Sequence, residues 1–246
     1  MRGLHAAIAA FGLAFGTTGG AFAASYAVEP STFTLVPPVR NATIALTNLS
    51  QEPVRLQVSG VAWRENDAGT MRLTPTSDLV VFPQFVTIPP LGTQRVRAAV
   101  VAPPGTTEQA FRIVVEDLPP LGEIVHATAA TQISVRTRFT LAVYVEPAIN
   151  APSSRIEDVA VHDGLLTFAV RNTGNTHVGG HSIAVNGRDA SGRTVFSGRI
   201  DDWHVLAGQR RVYTLDIGKA TCSRKLTISP DAGGMPAQTV DVAACK

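Results

Sequence analysis

Residues 131–145 read TQISVRTRFTLAVYV, and this stretch decides the fold class. Apolar side chains recur at every second position, with polar or small residues at most places between them, the apolar set being Ile133, Val135, Phe139, Leu141, Val143 and Val145. A period of two is typical of a β-strand, and this run is longer than the usual strand of about five or six residues. Such length raises the question of what pairs with the part that its own sheet does not use.

Most of the remaining chain shows short alternating runs separated by turn residues. The run VRLQVSGVAW ends at Trp63, and the ENDAG that soon follows has turn composition. Prolines confine the run LVVFPQFVTIPPLG to sheet edges or irregular connections. Short strands at spacings of about ten residues, divided by Gly, Pro, Asn and Asp, predict a β-sandwich.

The alternating pattern is interrupted at EPAINAPSS, where two prolines and small polar residues indicate a linker. The pattern then resumes to the C-terminus, and NGRDASGRT reads as a hairpin connection. The sequence therefore predicts an all-β protein with two consecutive β-sandwich domains, residues 24–147 and 153–246, joined by a linker at 148–152.

The first 23 residues have the order of a secretory signal peptide. Arg2 gives a basic start, residues 6–15 are apolar, and Ala21, Phe22 and Ala23 form an A-x-A cleavage pattern. The alternative is a buried N-terminal helix. No later run is long and apolar enough for a transmembrane helix. We therefore expect an exported, soluble chain that starts near Ala24.

Charge and composition exclude one class of partner and suggest another. The net charge is +2, and the basic residues are scattered without a Lys/Arg run, so nucleic acid is not an expected partner. Charged residues make up only 16% of the chain, which is sparse for an exported soluble protein and leaves room for an apolar surface that meets another protein.

Two cysteines, Cys222 and Cys245, lie near the C-terminus. An isolated pair in an oxidising compartment usually forms a disulfide, and closing a loop of about two dozen residues contributes roughly 3 kcal/mol. The alternative, a redox-active pair, lacks the C-x-x-C spacing.

The sequence offers little that suggests an enzyme or a cofactor. His177, His181 and His204, with Asp201 and Asp202 nearby, could form a metal cluster, but a spacing of four brings two ligands together only on a helix. The GHSIA at residues 180–184 resembles a nucleophile elbow, which requires a strand-to-helix turn. We therefore expect surface histidines, no metal, no cofactor and no catalytic activity.

The alternating row that begins at Val125 has two possible roles. It is either an internal strand packed on its own core or an edge strand that offers its backbone and alternate side chains to another protein. The second role is β-augmentation, in which main-chain hydrogen bonds give affinity and alternate side chains give selectivity.

These features together resemble the periplasmic pilus chaperones of the usher pathway, the PapD-like family, over nearly all of the chain after the signal peptide. FRIVVEDLPP, residues 111–120, is similar to the family's F1 strand, and ISVRTRFTLAVYVEP is similar to its G1 strand. In the second half, VRNTGNTHV and HVLAGQRRVYTLDI resemble the family's smaller sandwich. The short F1–G1 connection favours the archaic branch of the family.

The resemblance implies two immunoglobulin-like domains and a function. Such chaperones bind pilus or fibre subunits that lack their last strand, lend them the G1 strand without ATP, and deliver them to an outer-membrane usher. By position, the donor residues are Ala129, Thr131, Ile133 and Val135. The family also implies that the free protein can self-associate to cover these side chains.

One departure from the family concerns the anchor for the subunit's C-terminal carboxylate. Thr32 and Thr140 stand where most members carry an Arg and a Lys, and neither can make a charge-assisted bond. Arg112 is the first candidate to replace them because it interrupts an apolar strand. Arg138 and Arg136 follow. The rival to this whole interpretation is an exported β-sandwich that is itself a fibre subunit or adhesin.

Overall fold

The computed structural model describes residues 25–119, 136–218, 225–231 and 237–241. In these ranges the chain forms seventeen β-strands, connected by turns and bends. None of the described residues belongs to a helix that could span a bilayer.

Within the described residues, the first sandwich contains ten strands in two sheets. One sheet has the order β1-β3-β8-β6, and the other has the order β2-β10-β9-β4-β5, with β7 also paired to β4. The strands are β1 Tyr26–Glu29, β2 Thr32–Leu35, β3 Asn41–Asn48, β4 Val54–Glu65, β5 Met71–Pro75, β6 Leu79–Phe82, β7 Phe85–Ile88, β8 Thr93–Val100, β9 Gln109–Asp117 and β10 Arg138–Val145.

The described part of the second sandwich contains seven strands, in sheets of order β11-β12-β15 and β14-β13-β16-β17. The strands are β11 Ser154–His162, β12 Leu165–Asn172, β13 Val178–Arg188, β14 Thr194–Val205, β15 Arg210–Asp216, β16 Lys225–Pro230 and β17 Gln238–Asp241. The β13–β14 hairpin turns through Asp189 and Gly192, as the turn composition predicts. The prediction of two consecutive immunoglobulin-like sandwiches is confirmed.

Alternation places one face of most strands in a core, as expected for sheets packed face to face. The first core contains Leu56 from β4, Ile113 from β9 and Val143 from β10, and the second contains Phe168 and Ile183. A third apolar cluster lies between the two sandwiches, where Leu206 of the second meets side chains of the first, namely Trp63, Ala142 and Tyr144.

Two stretches differ in detail from the strands that the sequence suggests. The N-terminal run divides at residues 30–31, so that β1 pairs with β3 in one sheet while β2 pairs in parallel with β10 in the other. Within the described residues, the run at 131–145 forms strand from Arg138 to Val145, and Arg136 and Thr137 lie before that strand. The first five residues of the run lie outside the described part of the chain.

Candidate functional site at the boundary of the two sandwiches

The predicted donor residues, Ala129, Thr131, Ile133 and Val135, lie outside the residues that the structure describes, as do Cys222 and Cys245. The donor strand and the disulfide therefore stay predictions. The three candidate anchors, Arg112, Arg136 and Arg138, are described. The structure separates them clearly by environment.

The two faces of β10 meet different surroundings. Leu141 and Val143, at odd positions, are buried in the core of the first sandwich. Ala142 and Tyr144, at even positions, face the second sandwich and pack in the cluster with Leu206. Strand β9 follows the same rule, so its even-numbered Arg112 lies on the outer face, which looks toward the second sandwich.

Arg112 is held against an aromatic ring at this boundary. Its guanidinium carbon lies 3.7 Å from the centroid of the Trp63 ring, which is cation–π geometry. Its Nε is buried without a hydrogen-bond partner, and among the described residues no carboxylate lies within ion-pair distance of it. Burial lowers the pKa of Arg112, while the charges of Tyr144 and Glu65 raise it. A partly desolvated cation with an unpaired donor is a suitable receptor for an anion.

Arg112 lies on the same sheet face as Thr32 and Thr140, the two positions where the sequence lacks the expected cations. Arg112 is the cross-strand partner of Ala142, and Ala142 is the partner of Thr32, so one row crosses β9, β10 and β2. Thr140 lies one pleat away on the same face of β10, opposite Val114. Adjacent strands are about 4.8 Å apart, so Arg112 lies roughly two strand spacings from Thr32 on one sheet face.

The other two arginines are less suitable. Arg138 pairs with Glu116 on β9, with 3.2 Å between Nε and Oε1, and 56% of its side chain is exposed. Its charge is balanced and solvated. Arg136 is exposed, and its charge lowers the pKa of Asp117, although burial of that carboxyl raises it more.

Two glutamate–histidine pairs, which the sequence did not reveal, cross the boundary beside Arg112. Glu65 at the end of β4 has a side chain only 5% exposed, and its Oε1 lies 2.7 Å from Nε2 of His204. Glu108, just before β9, is 1% exposed, and its Oε2 lies 2.8 Å from Nδ1 of His177. The His177 backbone N–H also donates to Glu108 Oε1 at 3.1 Å.

Aromatic rings connect these pairs to Arg112. The His177 ring stacks on Tyr144 with 4.0 Å between centroids, and the His204 ring lies 5.5 Å from that of Trp63. Burial is the main cause that raises the pKa of Tyr144 to about 12. The charge of Arg112 lowers this pKa, whereas the charges of Glu108 and Glu65 raise it. Arg112, Glu65 and Glu108 are therefore all close enough to Tyr144 to influence its pKa.

The structure corrects the expectation that His177 and His204 are surface loop residues. Each binds a buried carboxylate of the other sandwich, and only His181 of the three histidines is exposed. Within the described ranges, no three His, Cys, Asp or Glu side chains gather as a metal site. The pairs join residues 69 and 139 positions apart, a separation for which local pattern carries no signal.

Further hydrogen bonds join the sandwiches on both sides of this cluster. The Val212 N–H donates to the Asp67 carbonyl at 2.7 Å, and Arg210 pairs with the Asp67 carboxylate at 2.9 Å. On the opposite side, the Glu108 N–H donates to the carbonyl of Asn175 at 2.8 Å. The boundary is thus a packed, hydrogen-bonded interface around Arg112.

The outer sheet face of the first sandwich thus meets the second sandwich around Arg112, and together they form a two-domain scaffold. Residues 26–148 match the family model described as pili and flagellar-assembly chaperone, PapD N-terminal domain. The chain belongs to this family of pilus and flagellar-assembly chaperones. No curated protein matches the chain.

Solved structures show the same fold. The CsuC–CsuE chaperone–tip subunit complex from archaic Csu pili of Acinetobacter baumannii aligns with a TM-score of 0.59 at 14% identity, covering 89% of this chain and 98% of the other. The E. coli chaperone DraB gives 0.54 at 14% identity, with 91% and 99% covered. The Salmonella enterica SafA pilin–SafB chaperone complex gives 0.53 at 12% identity, with 88% and 96% covered.

Proposed function

We propose that this chain is a periplasmic chaperone that binds pilus or fibre subunits by donor-strand complementation and delivers them to an outer-membrane usher. Family membership and the two-sandwich fold support the class. The solved complexes, by likeness of fold, support a subunit as the partner. The donor row, Ala129, Thr131, Ile133 and Val135, supplies alternate side chains to a subunit that lacks a strand. The same apolar row gives the free protein a reason to self-associate.

The single observation that carries the proposal is the division of faces on β10. Leu141, Val143 and Val145 face the core of the first sandwich, and Ala142 and Tyr144 face the second sandwich. The four proposed donor residues are all odd-numbered, the same parity as Leu141 and Val143, so a strand that kept the alternation of β10 would present them on the core-facing side. A subunit whose groove lacks a strand binds these four side chains in that groove.

Arg112 is the proposed anchor for the carboxylate at the subunit's C-terminus. It lies on the sheet face at the boundary, has an unpaired buried donor and, among the described residues, no acidic partner within ion-pair distance. Charge-assisted hydrogen bonds to a carboxylate satisfy that donor. Arg138, already paired with Glu116, is the second candidate.

The donor row is tested by co-expression with exported proteins encoded beside this chain, followed by a pull-down. The variant Ile133→Asp with Val135→Asp should stay folded and lose a small β-rich partner. The matched control is Val80→Asp with Phe82→Asp, which places the same charges at apolar positions that are 49% and 74% exposed on β6. Capture by the first variant as strong as by the control would refute the donor strand.

The anchor is tested with the captured subunit. Arg112→Gln should weaken binding, and so should a short C-terminal extension of the subunit, which moves its carboxylate. The two changes together should cost little more than either alone, because both remove the same contact. Additive losses would show that Arg112 and the carboxylate act separately.

A further inference from the structure

Two buried nitrogen atoms at the boundary of the sandwiches, Nε1 of Trp63 and Nε of Arg112, have no hydrogen-bond partner in the described part of the chain. Most buried polar groups in proteins are hydrogen-bonded, so each exception requires an explanation. A third such atom, Oε1 of Gln109, is an acceptor at an odd-numbered position of β9, on the opposite face of the sheet. The two donors therefore share one face of the sheet, where no described acceptor satisfies them.

Strand register holds the two donor groups together. Val61 of β4 is the cross-strand partner of Arg112, and Trp63 lies two residues further along β4 on the same face. An aromatic side chain at this diagonal position can reach its neighbour. The guanidinium carbon of Arg112 accordingly lies 3.7 Å from the centroid of the ring that carries the indole N–H. The two donor groups are thus in contact.

The buried carboxylates of the boundary are engaged elsewhere. Oε1 of Glu65 lies 2.7 Å from Nε2 of His204, and both carboxylate oxygens of Glu108 lie within hydrogen-bond distance of His177. These glutamates are therefore held by the second sandwich rather than by Arg112. An indole N–H and a guanidinium can only donate, so a group that satisfies both brings acceptors and, beside a cation, a negative charge.

The chain's other tryptophan has the partner that Trp63 lacks. Trp203 is also 2% exposed, and its Nε1 donates to Oδ1 of Asp231 at 3.2 Å. Trp63 is buried to the same extent, but its N–H has no such carboxylate among the described residues. An incoming carboxylate supplies at Trp63 the kind of acceptor that Asp231 supplies at Trp203.

We propose that the indole N–H of Trp63 is a second hydrogen-bond donor to the carboxylate that Arg112 anchors, and that it makes the site selective for a carboxylate over a carboxamide. This inference rests on the proposed role of Arg112 as the anchor. A carboxylate presents acceptors to both donors, whereas a carboxamide presents one oxygen and an amino group, which is itself a donor. Because Arg112 is only partly buried, a shift of its side chain gives the ligand access to the indole.

The first test uses formate as the smallest carboxylate and follows the indole N–H resonances of the full chain by NMR. The chain has two tryptophans, so loss of one signal in Trp63→Phe assigns both. About 0.2 M sodium formate, compared with sodium chloride of equal ionic strength, should shift the Trp63 signal and leave that of Trp203 unchanged. Formamide at the same concentration, which has a similar size and no charge, should shift neither signal.

Two arginine variants make the result specific. In Arg112→Gln the formate shift of Trp63 should disappear, whereas Arg138→Gln, which removes an equal charge from the same sheet, should retain it. Equal spectra in formate and chloride, an equal response to formamide, an equal response of Trp203, or a shift that survives in Arg112→Gln would overturn the inference.

The second test uses the captured subunit in two forms, one that ends in its natural carboxylate and one, made by semisynthesis, that ends in a carboxamide. The native chaperone should bind the carboxylate form more tightly by about tenfold or more, and Trp63→Phe should reduce that preference by about threefold or more, as loss of a hydrogen bond to a charged group implies. The ratio of the two affinities cancels any general weakening that the smaller ring causes.

The outcomes separate this inference from the proposed function. If Trp63→Phe keeps the full preference while Arg112→Gln loses it, the indole has no part in recognition and the proposed function stands. If capture requires neither the donor row nor Arg112, the proposed function itself fails.

Discussion

Asn48 and Asn172 occupy the same structural position in the two sandwiches. Each is the last residue of its strand and is at most 1% exposed. Asn48 Nδ2 donates to the carbonyls of Glu52, Ile88 and Pro89 at 2.8, 3.1 and 3.0 Å, and Asn172 Nδ2 donates to those of Thr176 and Val205 at 2.7 and 3.0 Å. In both cases the side-chain amide forms hydrogen bonds that join the two sheets of its sandwich, from β3 to β7 in the first and from β12 to β14 in the second.

Replacing either asparagine with alanine should destabilise its sandwich by roughly 3 kcal/mol, because two or more buried carbonyls lose their donor. Urea unfolding, with a separate transition for each sandwich where they resolve, measures the effect. The control is Asn150→Ala, an exposed asparagine that bonds only Glu146 among the described residues and should cost less than about 0.5 kcal/mol. Equal losses at all three sites would show that burial of these amides is unimportant.

Replacing Arg112 with methionine should separate binding from stability. The change removes a partly desolvated cation and its cation–π contact, two effects of opposite sign, so the free energy of unfolding should stay within about 1 kcal/mol of its native value. Affinity for the subunit should fall by about tenfold or more, the value of a charge-assisted contact. Denaturation and a binding titration are the two measurements. Arg138→Met should change neither, and a large loss of stability in Arg112→Met would show a structural role instead.

All three tyrosines should resist ionisation in the folded protein. Burial raises the pKa of Tyr26, Tyr144 and Tyr213 to about 12 in each case. An unfolded tyrosine titrates near pH 10, so their contribution to stability is present below about pH 10 and is lost as the pH rises toward 12. In that window, each tyrosine lowers the free energy of unfolding by up to about 1.4 kcal/mol per pH unit.

Absorbance at the tyrosinate band, followed together with circular dichroism, tests this expectation. Native protein should show little tyrosinate at pH 10.5, and ionisation should coincide with alkaline unfolding. The urea-unfolded chain should titrate near pH 10. A tyrosine that ionises near pH 10 while the circular dichroism stays native would contradict the burial argument for that residue.

Gly60 permits β6 to lie directly against β4. A Cβ at this position would lie 2.5 Å from the carbonyl oxygen of Leu79 and 2.8 Å from its Cγ. Gly60→Ala must therefore shift the backbone of β4 or β6. The overpacking should lower the free energy of unfolding by about 1–3 kcal/mol. The adjacent Ser59→Ala, on the opposite side of the strand, is the control in the same denaturation experiment and should be nearly neutral. A stable Gly60→Ala variant would mean that the two strands separate without cost.

The sequence by itself determined the strands, because a period of two is a local property that one face of a sheet imposes on every strand. The runs ending at Trp63 and beginning at Phe111 were therefore readable, as was the division into two sandwiches. The sequence also identified Arg112 as a candidate, because a single cation within an apolar strand can be recognised without the structure.

Only the tertiary structure decided what Arg112 meets. Its ring partner Trp63 lies on the neighbouring strand β4 of the same sheet, far away in the chain. The pairs Glu65–His204 and Glu108–His177 form only because one sandwich packs on the other. A histidine in sequence carries no mark of the carboxylate it will meet, because that contact depends on how two folded domains dock rather than on any local preference of the backbone.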